Sequence, residues 1–419
     1  MPGAEAKGRG LGFGMVLALV VGNMIGSGIY LLPATLAPLG WNQLAGWVVT
    51  IVGALCLAAV FAALAARLPR AGGPYAYAEA AFGSLAGFIA AWSYWVMTWV
   101  GNGAIAVAVV SNLSLVAPVI GKVAGLPALL AVACVWLLTL VNISGVKAAG
   151  RVQEVTTALK IIPLLVLIGL AMVLLLAGAP HAPEPPVPLS ADKIAAAAGL
   201  TFWGFLGLES GTVPADKVAD PTRTVPRATM VGVALTGAIY FGISLAFALF
   251  MPAEVAAQSP APVADFLGRY FGAHAAEVVA LFAAISAFGA LNGWVLLSAQ
   301  LPMAAAEDGL FPRRFATRDA HGTPRFGVWI GTLLASGLVI AKYTGPLGEV
   351  YTFSILLSTA ATLLPLRGLN VPAGHGVGRS EPVAHHEPAG QMPPVTLSDG
   401  VGTDAPPEQY HPAEQLKAN

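Results

Sequence analysis

The feature that most constrains this chain is a series of apolar runs about 20 residues long, the length a helix needs to cross roughly 30 Å of hydrocarbon. Ten such runs occupy roughly 12–38, 43–67, 83–112, 126–146, 156–178, 193–213, 228–251, 275–304, 326–343 and 347–365. Lipid offers no partner to a bare peptide group, so a chain with this pattern must satisfy its backbone within helices. The expected fold is an all-α polytopic membrane protein, with both ends of a ten-span core on one side. A 57% hydrophobic content with only 10% charged residues agrees. Zero net charge and no dense basic block exclude a nucleic-acid partner, because phosphate binding needs concentrated cations. Cys56 and Cys134 fall inside apolar runs and read as small hydrophobes, with no disulfide or metal site implied.

Lys and Arg concentrate on the cytoplasmic side of membrane proteins. Fourteen of them, from Lys7 to Arg325 and including Lys160, fall on the N-terminal side or at helix ends facing it, against Lys122, Lys193, Arg269 and Lys342 opposite. This places the N-terminus in the cytoplasm and the chain in the inner membrane. Residues 1–11 read as a short cytoplasmic segment leading into an uncleaved first span. Residues 12–365 read as the core. From 366 to 419 the sequence turns polar, with eight prolines and irregularly spaced histidines, the composition of a disordered tail rather than a metal tract.

Two spans are interrupted. Span 1 contains "VGNMIGSGIYLLP", with Gly22, Gly26 and Gly28, and span 6 contains "WGFLGLESGTVP", with Gly204, Gly207, Gly211 and Pro214. Dividing ten spans into repeats of about 12–178 and 193–365 makes these the first span of each half. Inverted-repeat transporters place paired discontinuous helices there, with the substrate site near the midplane. Unwound backbone is tolerated in a membrane only when buried in protein or lining a cavity, and a half-helix N-terminus suits a carboxylate. Close helix packing is the alternative use of such glycines.

The stretches "GNMIGSGIYLLPATLA", "PRAGGPYAYAEAAFG", "SYWVMTWVGN", "WGFLGLES", "DPTRTVPRAT" and "AAAEDGLFPRRFA" together resemble the amino acid/polyamine/organocation superfamily, most nearly its arginine/agmatine antiporter branch. The resemblance runs from about Gly12 to Pro365. It implies a 5+5 inverted-repeat fold followed by two further helices that help form a homodimer. Here that final pair is missing, and Leu366 stands where the family has a gating Tyr.

By the same resemblance, Asn23, Met24, Ser27 and Gly28 hold the substrate's amino and carboxylate ends, while Asn102 and Ile105 meet its side chain. Trp203 covers it from outside, Trp294 separates the pocket from the cytoplasm, and Leu206 and Ser358 complete the substrate contacts. Asn102 could equally be a packing hydrogen bond, and interfacial belts are the usual home of membrane tryptophans. Glu209 is the one acid well inside a span. An ionised group at the bilayer centre costs at least about 2.5 kcal/mol, so it reads as functional. The resemblance makes it a coupling acid, with Tyr94 as its partner. Lys160 departs from the arginine/agmatine branch and matches proton-coupled or neutral amino acid carriers, where a Lys replaces a sodium ion; snorkelling at the end of span 5 is the alternative.

These residues imply a secondary transporter of amino acids working by alternating access, with a small-molecule amino acid or amine as substrate and coupled protons as partners. The expectation is cationic amino acid/amine exchange or proton-coupled neutral amino acid transport. The rival of another class is a non-transporting sensor or inactive core. No nucleophile/base pair or phosphate-cradling loop points to an enzyme, and no cofactor or metal is implied.

Overall fold

The computed structural model describes residues 10–183, 187–272, 274–319 and 322–344. The expectations for Ser358, span 10, Leu366 and the tail therefore lie outside the described residues. Within them the chain is helical, and the one β-type pairing is an isolated bridge between Leu11 and Val218. In order the helices are α1 (Phe13–Met24), α2 (Leu32–Leu36), α3 (Asn42–Arg67), α4 (Pro74–Phe82), α5 (Ser84–Val116), α6 (Val119–Lys122) and α7 (Leu126–Ile143). There follow α8 (Val146–Leu176), α9 (Ala191–Phe202), α10 (Pro221–Phe250), α11 (Ala253–Gln258), α12 (Pro262–Phe271), α13 (His274–Glu307) and α14 (Arg325–Tyr343). Among the described residues seven of these, α3, α5, α7, α8, α10, α13 and α14, are long and apolar enough to cross a membrane. Spans 1 and 6 are the interrupted ones.

Hydropathy places most span edges within a few residues and errs where polar turns belong to a helix. The fifth span begins at Val146, ten residues earlier than apolarity suggests, because Gly145 at φ +113° ends the preceding turn and "VKAAGRVQE" continues as helix. The seventh begins at Pro221, a residue suited to a first helical turn because its missing N–H would have no partner there.

Helix α13 is the centre of the molecule, packing against α1, α5, α7, α8 and α14. Small residues set the close crossings. A Cβ at Gly46 on α3 would press on Ala197 of α9, and one at Gly232 on α10 would press on Val20 of α1. Such contacts let backbones approach where lipid supplies no hydrophobic drive. Side-chain bonds then pin neighbours: Trp47 Nε1 donates to Ser244 Oγ at 2.6 Å, and the hydroxyls of Thr139 and Thr332 meet at 2.6 Å.

Arg67 at the end of α3, Glu307 at the end of α13, and the Leu11–Val218 bridge mark one end of the bundle, called the N-terminal mouth below.

Candidate functional site

Span 1 unwinds after Met24. Ile25 and Gly26 are extended, Ser27–Tyr30 form a 3₁₀ turn, and α2 resumes at Leu32 with Pro33 in its first turn. Span 6 unwinds after Phe202 and does not resume as α-helix. Only the 3₁₀ turns Trp203–Phe205, Ser210–Thr212 and Ala215–Lys217 follow, so the expected second half-helix is absent. Gly207 at φ +103° and Pro214, with no N–H to give, explain why α-helix does not propagate.

The two breaks meet. Asn23 Nδ2 donates to Ser210 Oγ at 2.8 Å, and a Cβ on Gly207 would lie 2.9 Å from Asn23 Cβ and 3.1 Å from its carbonyl carbon. Gly207→Ala combines that overlap with a left-handed backbone. We expect it to cost more than about 2 kcal/mol and to abolish transport, read as lost uptake with a lowered melting temperature.

Most carbonyls released by the span 1 break are claimed by side chains. Lys160 Nζ donates to Gly22 O at 2.8 Å and Ile25 O at 2.7 Å, Tyr240 OH to Met24 O at 2.8 Å, and Ser286 Oγ to Gly26 O at 3.2 Å. Met24 O accepts from the Gly26 N–H as well, at 3.1 Å. Lys160 is fully buried, so it neither snorkels nor contributes charge at an interface. Ser27 and Gly28 remain partly or fully accessible and open a turn whose first amides lack intrahelical partners.

The tryptophans part company. Trp203 is 61% exposed; the buried aromatic of the break is Phe205, packed on Trp47 and Tyr240. Trp294 is buried, with its ring 6.4 Å from that of Tyr94. Tyr94 OH donates to Glu209 Oε1 at 2.6 Å, and the Gly207 N–H donates to Glu209 Oε2 at 3.2 Å. Asn102 is 1% exposed, with an Oδ1 that has no partner among the described residues, and Ile105 packs beside it between two apolar clusters. Leu206 is half-buried and extended.

A family model for amino acid permeases matches residues 11–367. The chain belongs to the amino acid permease family. This permease is 33% identical over 387 residues to a cadaverine/lysine antiporter of Escherichia coli strain K12, covering 87% of this chain and 86% of that one. It is 31% identical over 376 residues to an arginine/ornithine antiporter of Pseudomonas aeruginosa, covering 86% and 78%. Among solved structures, the substrate-bound outward-open state of a Na+-coupled sialic acid symporter is similar with a TM-score of 0.53 at 12% identity, covering 87% of this chain and 80% of that one, a likeness of fold alone. The permease is a multi-pass membrane transporter of amino acids and not an enzyme.

Sequence reasoning missed Ser210, Tyr240 and Ser286, which fasten the breaks of the permease to each other and to their neighbours. Each is a polar group in mid-span, and that position was the available signal. Tyr240→Phe keeps the ring against Trp47 and Phe205 but removes the shorter of the two bonds to Met24 O, leaving the Gly26 N–H at 3.1 Å. Loss of one buried hydrogen bond costs about 0.5–1.5 kcal/mol. The expected result is a roughly tenfold slower counterflow with folding retained, checked by initial rates beside a melting curve.

Proposed function

We propose that this permease exchanges amino acids with cationic side chains across the inner membrane by alternating access, with its N-terminus in the cytoplasm. The observation that carries the reading is the meeting of the two breaks at Asn23 and Ser210, with Ser27 and Gly28 accessible on one side. The substrate's carboxylate faces the Ser27–Gly28 turn, and its amino group faces the carbonyls of the span 6 break near Trp203 and Leu206. Its side chain extends toward Ile105 and Asn102, and Trp294 forms the floor. Residues 12–178 and 193–365 form the two repeats around this site.

Two observations favour a cationic amino acid. Asn102 Oδ1 is buried without a donor, a cost that an ammonium or guanidinium would relieve. Lys160 as an ammonium opposes a diamine, which lacks the carboxylate that an amino acid brings near it. Of the antiporters named above, one is named for arginine and ornithine, both cationic amino acids, and the other for lysine and the diamine cadaverine. Proton-coupled carriage of neutral amino acids is the second reading, and buried Lys160 in the place of a cation is what favours it.

Counterflow separates the readings. Proteoliposomes loaded with lysine are expected to take up labelled lysine, arginine and ornithine, and to take up cadaverine and leucine poorly. Uptake into empty vesicles driven by a pH gradient alone would replace exchange with the proton-coupled reading. Binding without flux would mean a non-transporting protein.

A further inference from the structure

Between Trp294 and the N-terminal mouth the passage is closed by packed side chains. Leu297 and Leu301 on α13 join Tyr94, Val213, Phe311 and Phe315 in one buried cluster. At its outer edge lies a strap, residues 68–83, which includes α4. Tyr75 is fully buried within it, and its hydroxyl donates to Asp308, the residue after α13. Arg70 reaches the same carboxylate at 3.6 Å and also pairs with Glu79 of the strap. The strap then touches the span 6 break: the Gly72 N–H donates to Val213 O at 2.9 Å, and Gly73 lies against Thr212, whose Oγ1 donates to Glu209 O at 2.6 Å. Gly72 in turn sits on the Tyr75 ring, at φ +105°.

We propose that Asp308 is a positioning residue for transport, anchoring the strap through Tyr75 so that Gly72 holds the span 6 break closed over the N-terminal mouth. The line runs from the carboxylate to the phenol, from its ring to Gly72, and from Gly72 to Val213, four residues beyond Glu209. Two bonds reach the carboxylate, and they are unequal. Arg70 and Asp308 are both about one third exposed, and such pairs contribute little. The Tyr75 hydroxyl has no access to water, so a neutral amide in place of the carboxylate exchanges a buried charge-assisted bond for one roughly half as strong. Burial, with the Asp308 carboxylate beside it, pushes the Tyr75 phenol well above its usual range, so it stays a donor. A second tie crosses the same mouth, from Arg318 to Glu307 and to Asp216 beyond the break, and it is solvent-exposed throughout.

The inference rests on alternating access, and its test needs no substrate. In nanodiscs, on a Cys56→Ala/Cys134→Ala background, a Leu297→Cys reporter below Trp294 is labelled with an impermeant maleimide, and Ser27→Cys reports the other side. Asp308→Asn and Tyr75→Phe are each expected to raise labelling at 297 by about tenfold or more and to lower it at 27, because mouths open alternately. Their double variant should go no further than the singles, since both cut one line. Arg318→Gln should change labelling less than about twofold. Unchanged labelling at 297, a rise at both reporters, or an effect of Arg318→Gln equal to that of Asp308→Asn overturns the assignment. Tyr75→Phe keeps the buried ring, so the test stands even if Asp308→Asn fails to fold. A protein that carries no amino acid would still report the anchor, which keeps the two failures apart.

Discussion

Lys160→Ala is expected to abolish transport and to lower the melting temperature together. In an unbroken helix Gly22 O would accept the amide of Gly26, but that amide turns to Met24 O at 3.1 Å. Ile25 O likewise faces no following α-helical turn, because Ser27 begins a 3₁₀ segment. Lys160 Nζ supplies both carbonyls with donors from the neighbouring α8, at 2.8 and 2.7 Å, and so stands in for the missing helical bonds. The bond from Tyr30 OH to the Lys160 carbonyl, at 3.1 Å, ties the far side of the break to the same residue. Alanine would leave Gly22 O unmet at about 1–3 kcal/mol and Ile25 O with only the 3.4 Å bond from Ser286 Oγ, together with a void where the lysine stem lay. A loss of this size lowers the population of the intact break by a hundredfold or more. Lys160→Met refills the volume without the donors. It is expected to recover part of the melting temperature and little of the counterflow rate. Full pH-dependent transport by the alanine variant would remove Lys160 from the mechanism.

Sequence reasoning reaches furthest where a local rule has one physical outcome. A run of about 20 apolar residues has to be a helix in lipid, and glycines paired five spans apart point to unwound backbone more than to close packing, so the described spans and both breaks are legible from residues alone. The side-chain economy of the breaks is not. Lys160 lies four residues into an apolar run by composition. It becomes a mid-helix residue only because α8 starts ten residues earlier, at a glycine whose left-handed backbone no hydropathy measure registers. Trp203 and Phe205 both flank the break as aromatics. Packing against Trp47 and Tyr240 decides which is buried, and those residues lie on other spans. Asn23 carries the expected signal, polarity in mid-span, but the sequence does not show that its Nδ2 joins the two breaks while its Oδ1 is buried with no partner among the described residues. The strap joined to Asp308 is invisible for the same reason, since Tyr75 and Asp308 are 233 positions apart.

Glu209 is where the parts converge, and Glu209→Gln beside Tyr94→Phe is expected to separate charge from geometry. The carboxylate accepts from the Tyr94 hydroxyl on α5 and from the Gly207 N–H inside the break. Its main-chain carbonyl accepts from the Thr212 hydroxyl that lies against the strap. Glutamine has the same size but cannot accept on both arms. With its oxygen toward Tyr94, its NH2 opposes the Gly207 N–H; flipped, it leaves the Tyr94 proton without its acceptor. Either arrangement strands a buried donor at about 1–3 kcal/mol, so counterflow should slow by about tenfold to a hundredfold. If Glu209 couples a proton to the gate, the glutamine variant also loses the pH dependence of the rate, because the group that titrates is gone. Tyr94→Phe removes one donor and leaves the acid, so it should slow transport while keeping that dependence. Rates measured across pH for the two variants side by side therefore decide the role. Matching flat profiles would reduce Glu209 to a strut between α5 and the break, and a glutamine variant with wild-type rate and profile would leave it no part in gating.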